Sequence, residues 1–180
     1  MNNLWRELPT GPDAPETVYA IVEIPRGSRN KYEYHKEQGV IFLDRVLYSS
    51  LHYPGDYGLI PRTFCDDGDP LDVLIMIKEA TFPGCVVKVR PIGLFRMKDR
   101  GQEDAKILAV PTNDPIHKDY RDITDIPQHY LEEIRHFFQV YKDLEGSSVE
   151  VIGWDNAAAA RAEIVASQKM YEERFGFKSI

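Results

Sequence analysis

Four aspartates lie within seven residues in segment 66–72: Asp66, Asp67, Asp69 and Asp72. Carboxylate oxygens are the ligands that Mg²⁺ prefers, and the ion usually keeps several of its waters. Asp72 runs directly into an apolar segment that is typical of a strand, which places its carboxylate at the mouth of that strand. Because Asp, Gly and Pro also form turns, an acidic surface turn explains the segment equally well when it is read alone.

Acids and cations occur together in two further segments. Asp104 and Lys106 share one face of a predicted strand, and Lys31 and Glu33 share one face of another. Each pair alone fits a solvated ion pair on a surface strand. Taken together, carboxylates that hold metals and cations that hold phosphate oxygens are the two halves of a phosphoryl-transfer site.

Strands are the main elements that must position these side chains. Runs rich in Val, Ile, Leu and aromatic residues predict strands over 17–24, 31–35, 39–47, 71–77, 85–97, 104–110 and 148–152. Apolar residues recur at helical spacing over 127–142 and 156–175. The sequence therefore predicts a mainly β protein with α, a closed antiparallel β-barrel of OB-like type with two flanking helices.

Length and composition bound the remaining possibilities. The 180 residues fit a single domain, with residues 1–16 as an irregular N-terminal arm. The net charge of −7 argues against a general nucleic-acid binder, whose affinity comes mainly from Lys and Arg. The two cysteines are expected to be reduced, and we find neither a secretion signal nor a membrane-spanning run. We expect a cytoplasmic protein with no membrane partner.

At these residues the sequence resembles the family I soluble inorganic pyrophosphatases of the prokaryotic type. The resemblance runs from about residue 18 to about residue 166, and its most specific motif is Asp-Gly-Asp-Pro-Leu-Asp-Val at 67–73. The other matching segments, in chain order, are Glu23 with 31–33, 44–45 with 53–58, 99–106 and 141–145. This agreement implies hydrolysis of inorganic pyrophosphate to two orthophosphates by a metal-activated water.

The resemblance also implies a role for each matched side chain. The implied metal ligands are Asp67, Asp72, Asp104, Asp99 and Glu33. The side chains implied to bind substrate are Lys31, Arg45, Tyr57, Lys106, Tyr141 and Lys142. Asp69 would be the catalytic base, and Glu23 would line the site. The implied cofactor is Mg²⁺, several ions per active site, with other divalent cations as alternatives, and the implied assembly is a homo-oligomer, a hexamer by family analogy.

Three other functions fit parts of the sequence. A nucleic-acid-binding OB barrel would use the abundant Tyr and Phe residues, although the acidic site argues against it. A calcium-binding or structural module could use 66–72 as its loop, but the bidentate Glu that ends an EF-hand loop is absent. A metal-dependent nucleotide phosphatase is the nearest alternative, and no segment resembles a base-binding pocket.

Overall fold

The computed structural model describes residues 3–176. Its strands are β1 (Val18–Ile24), β2 (Asn30–His35), β3 (Val40–Val46), β4 (Asp56–Leu59), β5 (Asp72–Ile75), β6 (Val86–Asp99), β7 (Gln102–Pro111) and β8 (Val149–Asn156). Its α-helices are α1 (Leu4–Glu7), α2 (Gln128–Val140) and α3 (Ala157–Phe175). The mainly β composition with two long helices after most of the strands agrees with the sequence prediction.

The main sheet has the strand order β1-β4-β5-β7-β6-β8, and β1 also pairs with β6. Each of β1, β4, β5 and β7 therefore has two hydrogen-bonded neighbours, and β6 has three. The prediction of purely antiparallel pairing is wrong at one place, because β5 and β7 run parallel, with Asp72 opposite Lys106. These two strands are joined through β6 rather than by a tight hairpin, which would force an antiparallel pair. Strands β2 and β3 form a separate antiparallel hairpin.

Strand β1 is buried on both faces. Val22 belongs to the same apolar cluster as Val73 and Ile107. Ile21 points the other way and packs in a second cluster with Trp5 and Tyr171. The alternating pattern predicts a strand, and the burial of both faces explains why the segment contains so few polar residues.

Both predicted helices are present. In α2 the buried residues Leu131, Ile134, Phe137 and Phe138 follow helical spacing and join the cluster that contains Phe95. Helix α3 begins after Asn156, whose side chain accepts a hydrogen bond of 3.0 Å from the backbone N–H of Ala159. This is an N-cap contact.

The N-terminal arm is more ordered than the sequence predicts, because residues 4–7 form the short helix α1. Trp5 is only 1% exposed, and its Nε1–H donates to the carbonyl oxygen of Thr63 at 3.0 Å. Burial of this indole ties the arm to the rest of the chain. Within residues 3–176, no helix combines the length and apolar composition that crossing a bilayer requires.

Candidate active site

One cavity of about 880 Å³ lies between the β2–β3 hairpin, the aspartate turn before β5 and the adjoining ends of β6 and β7. All of the site residues predicted from the sequence line its wall except Arg45. Those lining residues are Glu23, Lys31, Glu33, Tyr57, Asp67, Asp69, Asp72, Asp99, Asp104, Lys106, Tyr141 and Lys142. The fold therefore brings carboxylates and cations from distant segments together.

Lys106 lies at the centre of the polar wall and is only 2% exposed. Its Nζ is 2.8 Å from Asp72 Oδ2, 2.8 Å from Asp104 Oδ1 and 2.9 Å from the hydroxyl of Tyr57. The Tyr57 hydroxyl in turn donates to Asp72. Burial lowers the pKa of Lys106, but Asp72 and Asp104 raise it more, so that the pKa lies well above its ordinary value. Lys106 is therefore a permanent cation between two carboxylates.

The other lysines of the cavity are paired in the same way. Lys142 forms an ion pair with Asp99. Lys31 pairs with Glu33 and lies 3.3 Å from Asp44. The cations that could grip phosphate oxygens thus neutralise the carboxylates that could hold metal ions.

Glu23 is the most deeply buried carboxylate of the wall, at 8% exposure, and accepts a hydrogen bond of 2.7 Å from the backbone N–H of Tyr34. Burial raises the pKa of Glu23 to about 8, and the negative charge of Asp72 adds to the effect. Burial also raises the pKa values of Asp67 and Asp104. The site therefore holds several carboxylates in surroundings that disfavour their negative charge.

The donor set fits hard divalent cations. Asp99 Oδ1 is buried and has no hydrogen-bond partner among the described residues, and a cation would satisfy this oxygen. A cation would also offset the cost of burying the charges on Asp67 and Asp104. Within residues 3–176, however, no three His, Cys, Asp or Glu side chains form a ready group of ligands. The Lys106 ammonium lies between Asp72 and Asp104, so metal binding requires these side chains to move.

Arg45 does not line the cavity, although the sequence predicts that it binds substrate. Its guanidinium donates to both carboxylate oxygens of Glu145, at 3.1 and 2.8 Å, and also to Asp44. Burial lowers the pKa of Arg45, but these two carboxylates raise it above its ordinary value. Arg45 therefore lies beside the cavity and ties β3 to the segment that follows Tyr141 and Lys142.

A family model described as inorganic pyrophosphatase matches residues 20–172 of this chain. The chain belongs to the inorganic pyrophosphatase family. The match extends from β1 to the last turns of α3, and it includes every element that contributes a side chain to the cavity wall.

Relatives in this family are similar over nearly the whole chain. An inorganic pyrophosphatase of Haloferax volcanii is 50% identical over 176 residues, which cover 97% of this chain and 99% of that protein. One of Halalkalibacterium halodurans is 53% identical over 146 residues, covering 81% and 90% respectively. The crystal structure of inorganic pyrophosphatase from Thermus thermophilus superposes with a TM-score of 0.91 at 45% identity, covering 95% of this chain and 99% of that one.

Two of the cavity residues that the sequence does not indicate form ion pairs with predicted site residues. Lys36 contacts Asp69, and Asp44 contacts both Lys31 and Arg45. Lys36 follows directly after β2, at the turn of the hairpin. The alternation of a strand does not extend to this residue, so the sequence does not indicate which way its side chain points. Asp44 lies beside Arg45 in a segment that matches the inorganic pyrophosphatase family, and this position was its only signal in the sequence.

Proposed function

We propose that this chain hydrolyses inorganic pyrophosphate to two orthophosphates at the described cavity, with Mg²⁺ as cofactor. The observation that carries the proposal is the cavity wall, where buried carboxylates and lysines from separate strands lie in mutual contact. Such a wall can hold cations and a phosphate-bearing anion at the same time. The names of the relatives in the inorganic pyrophosphatase family support this substrate.

In this proposal Asp67, Asp72 and Asp104 hold the principal metal ion, and Asp99 and Glu33 hold further ones. All five line the same cavity, and the unpartnered oxygen of Asp99 supports its assignment. Bound Mg²⁺ would supply Lewis acidity, which lowers the pKa of water and offsets the charge of the phosphate oxygens.

The cations and hydroxyl groups of the wall bind the substrate. The proposed set is Lys31, Arg45, Tyr57, Lys106, Tyr141 and Lys142. Once the carboxylates face metal ions, the ammonium groups are free to donate to the phosphoryl oxygens and to stabilise the charge that develops on the leaving phosphate. Arg45 joins this set if the substrate competes with Glu145 for its guanidinium.

Asp69 accepts a proton from the attacking water. Its carboxylate is 62% exposed, and it lies on the turn that also carries Asp67. An exposed carboxylate is reachable by water, and a general base must lie within hydrogen-bond reach of the proton it takes. Glu23 lines the floor of the site and orders water there.

The remaining structural proposals concern the whole chain. We infer that the ring of strand pairings is a closed OB-like barrel, and that residues 1–180 form one domain. We also propose a cytoplasmic homo-oligomer, a hexamer by family analogy. Exposed apolar side chains that subunit contacts could cover include Tyr48, Phe82 and Leu144.

Phosphate release from pyrophosphate and from ATP, each with and without Mg²⁺, tests the function. We expect Mg²⁺-dependent turnover of pyrophosphate and little turnover of ATP. Asp69→Asn should lower kcat by ~10²-fold or more, since general-base catalysis contributes about that much, while the thermal unfolding curve stays unchanged. Turnover without any divalent cation would contradict the proposal, and near-normal turnover by Asp69→Asn would refute the assigned base.

A further inference from the structure

Lys36 links the β2–β3 hairpin to the aspartate turn. It is the first residue after β2, and its Nζ donates to the carbonyl oxygen of Gly68 at 2.7 Å. The same ammonium forms an ion pair with the carboxylate of Asp69. One side chain therefore contacts both the backbone and the proposed base of a turn that lies 33 residues further along the chain.

Two hydrogen bonds that do not involve Lys36 hold part of the backbone of this turn. The Asp69 N–H donates to Asp67 Oδ1 at 2.9 Å, and the Asp69 carbonyl oxygen accepts from the Cys65 N–H at 2.8 Å. The carboxylate of Asp69 is in a different situation. Across residues 3–176, Lys36 is the one side chain that bonds to it, and the rest of the carboxylate faces the open cavity. Its direction therefore depends on Lys36.

The pairing of Lys36 differs in kind from that of the other cavity lysines. Lys31, Lys106 and Lys142 pair with carboxylates that are proposed as metal ligands, and they lie where they can turn to the substrate. Lys36 instead holds the carboxylate that is proposed to take the proton, and it is anchored to a backbone carbonyl by a second bond.

We propose that Lys36 is a positioning residue that sets the direction of the Asp69 carboxylate for proton transfer. This inference rests on the proposed function, and it assigns Lys36 no contact with the substrate. A general base must lie within hydrogen-bond reach of the proton it takes, and a displacement of about 1 Å can cost ~10²-fold in rate. Loss of Lys36 should therefore reduce the chemical step and leave substrate binding intact.

Kinetics of three variants test this role. Lys36→Met keeps the length of the side chain without the charge, and we expect kcat to fall by ~10-fold or more with KM for pyrophosphate within about twofold. Lys36→Arg, which keeps a cation of similar reach, should recover most of kcat. Lys169→Met removes an exposed ion pair with Glu173 on α3 and should leave both constants unchanged.

A double-mutant cycle provides the decisive readout. If Lys36 acts through Asp69, then Lys36→Met should have almost no further effect in the Asp69→Asn background. Equal losses in both backgrounds would overturn the proposal. A large rise in KM with kcat unchanged would also overturn it, because it would make Lys36 a substrate-binding residue.

Hydrogen exchange separates this inference from the proposed function. The amides of Gly68 and Asp69 should exchange several-fold faster in Lys36→Met than in the wild type or in Lys169→Met, because the carbonyl of Gly68 loses its donor. Unchanged exchange would overturn the positioning role whatever the activity. Failure of the wild type to release phosphate from pyrophosphate would instead refute the proposed function.

Discussion

Lys106, Asp72, Asp104 and Tyr57 form a polar cluster around the buried Lys106 ammonium, and every charged group in it has a partner. Burying either carboxylate without a cation would cost far more than the pair gains, so these residues depend on each other for their position. The motifs in the sequence identify all four residues. They could not show that Lys106 lies between the two carboxylates, because the position of Lys106 beside Asp72 depends on the parallel pairing of β5 with β7.

Glu23 should make the stability of the metal-free protein depend on pH. The folded protein keeps the proton of Glu23 up to about pH 8, whereas the unfolded chain loses it near pH 4.5. The folded state thus binds more protons in this window. The contribution of Glu23 to stability is therefore complete below about pH 4.5 and is lost as the pH rises to about 8, by an amount on the order of a few kcal/mol.

Urea unfolding in the presence of a chelator, at several values from pH 4.5 to pH 8.5, measures this effect. In Glu23→Gln the free energy of unfolding should fall less steeply with pH than in the wild type. Some slope should remain, because the pKa values of Asp67 and Asp104 are also raised. Glu173→Gln, on the exposed face of α3, should keep the wild-type slope, and identical slopes in all three proteins would contradict the prediction.

At the scale of elements, strand β4 is the part of the sheet that the sequence did not predict. Its four residues include Asp56 and Gly58, which are typical of turns rather than strands. The segment is extended because it fits between β1 and β5, where Gly58 lies opposite Val22 and Val73. This is a tertiary effect, and it leaves no periodic pattern in four residues. The longer strands, with their runs of Val, Ile and Leu, were predicted to within a few residues.

Gly58→Ala should disrupt this part of the sheet. A Cβ at position 58 would lie 2.0 Å from the carbonyl oxygen of Ile21 and 2.8 Å from its carbonyl carbon, so the backbone of β1 would have to move. We expect a loss of about 3 kcal/mol or more in the free energy of unfolding, measured with urea. Activity should fall as well, because Tyr57 and Asp72 flank this contact.

Gly93→Ala is the matched control for that substitution. Gly93 also lies in a central strand, but its added Cβ would come no closer than 3.3 Å to the carbonyl oxygen of Asp155. The loss of stability should be much smaller than for Gly58→Ala. Equal losses for both variants would contradict the prediction, because the close approach of β1 and β4 would then not explain the loss at position 58.

At the scale of the whole molecule, the acidic composition and the proposed anionic substrate are compatible because of where the charges lie. The net charge is −7, yet the cavity wall contains a lysine beside each cluster of carboxylates. Net charge alone disfavours nucleic acid as a partner, but it says nothing about a local site. The membership of the inorganic pyrophosphatase family could be inferred from motif order alone, whereas the position of Arg45 outside the cavity could not.

The proposed hexamer is tested by sedimentation equilibrium. We expect a single species with six times the mass of the chain, independent of protein concentration in the micromolar range. A stable homo-oligomer should cover exposed apolar side chains such as Phe82 and Leu144. Sedimentation as a monomer at all concentrations would contradict the assignment.

The pairing of each cavity lysine with a carboxylate has a thermodynamic consequence. A divalent cation that takes over a carboxylate releases an ammonium group, and an anion that takes over the ammonium releases a carboxylate. Each ligand thereby removes a competitor of the other. Because linkage is reciprocal, the metal ion and the anion must strengthen each other's affinity by the same factor. Because of these internal salt bridges, the metal ion and the anion would bind to the site cooperatively.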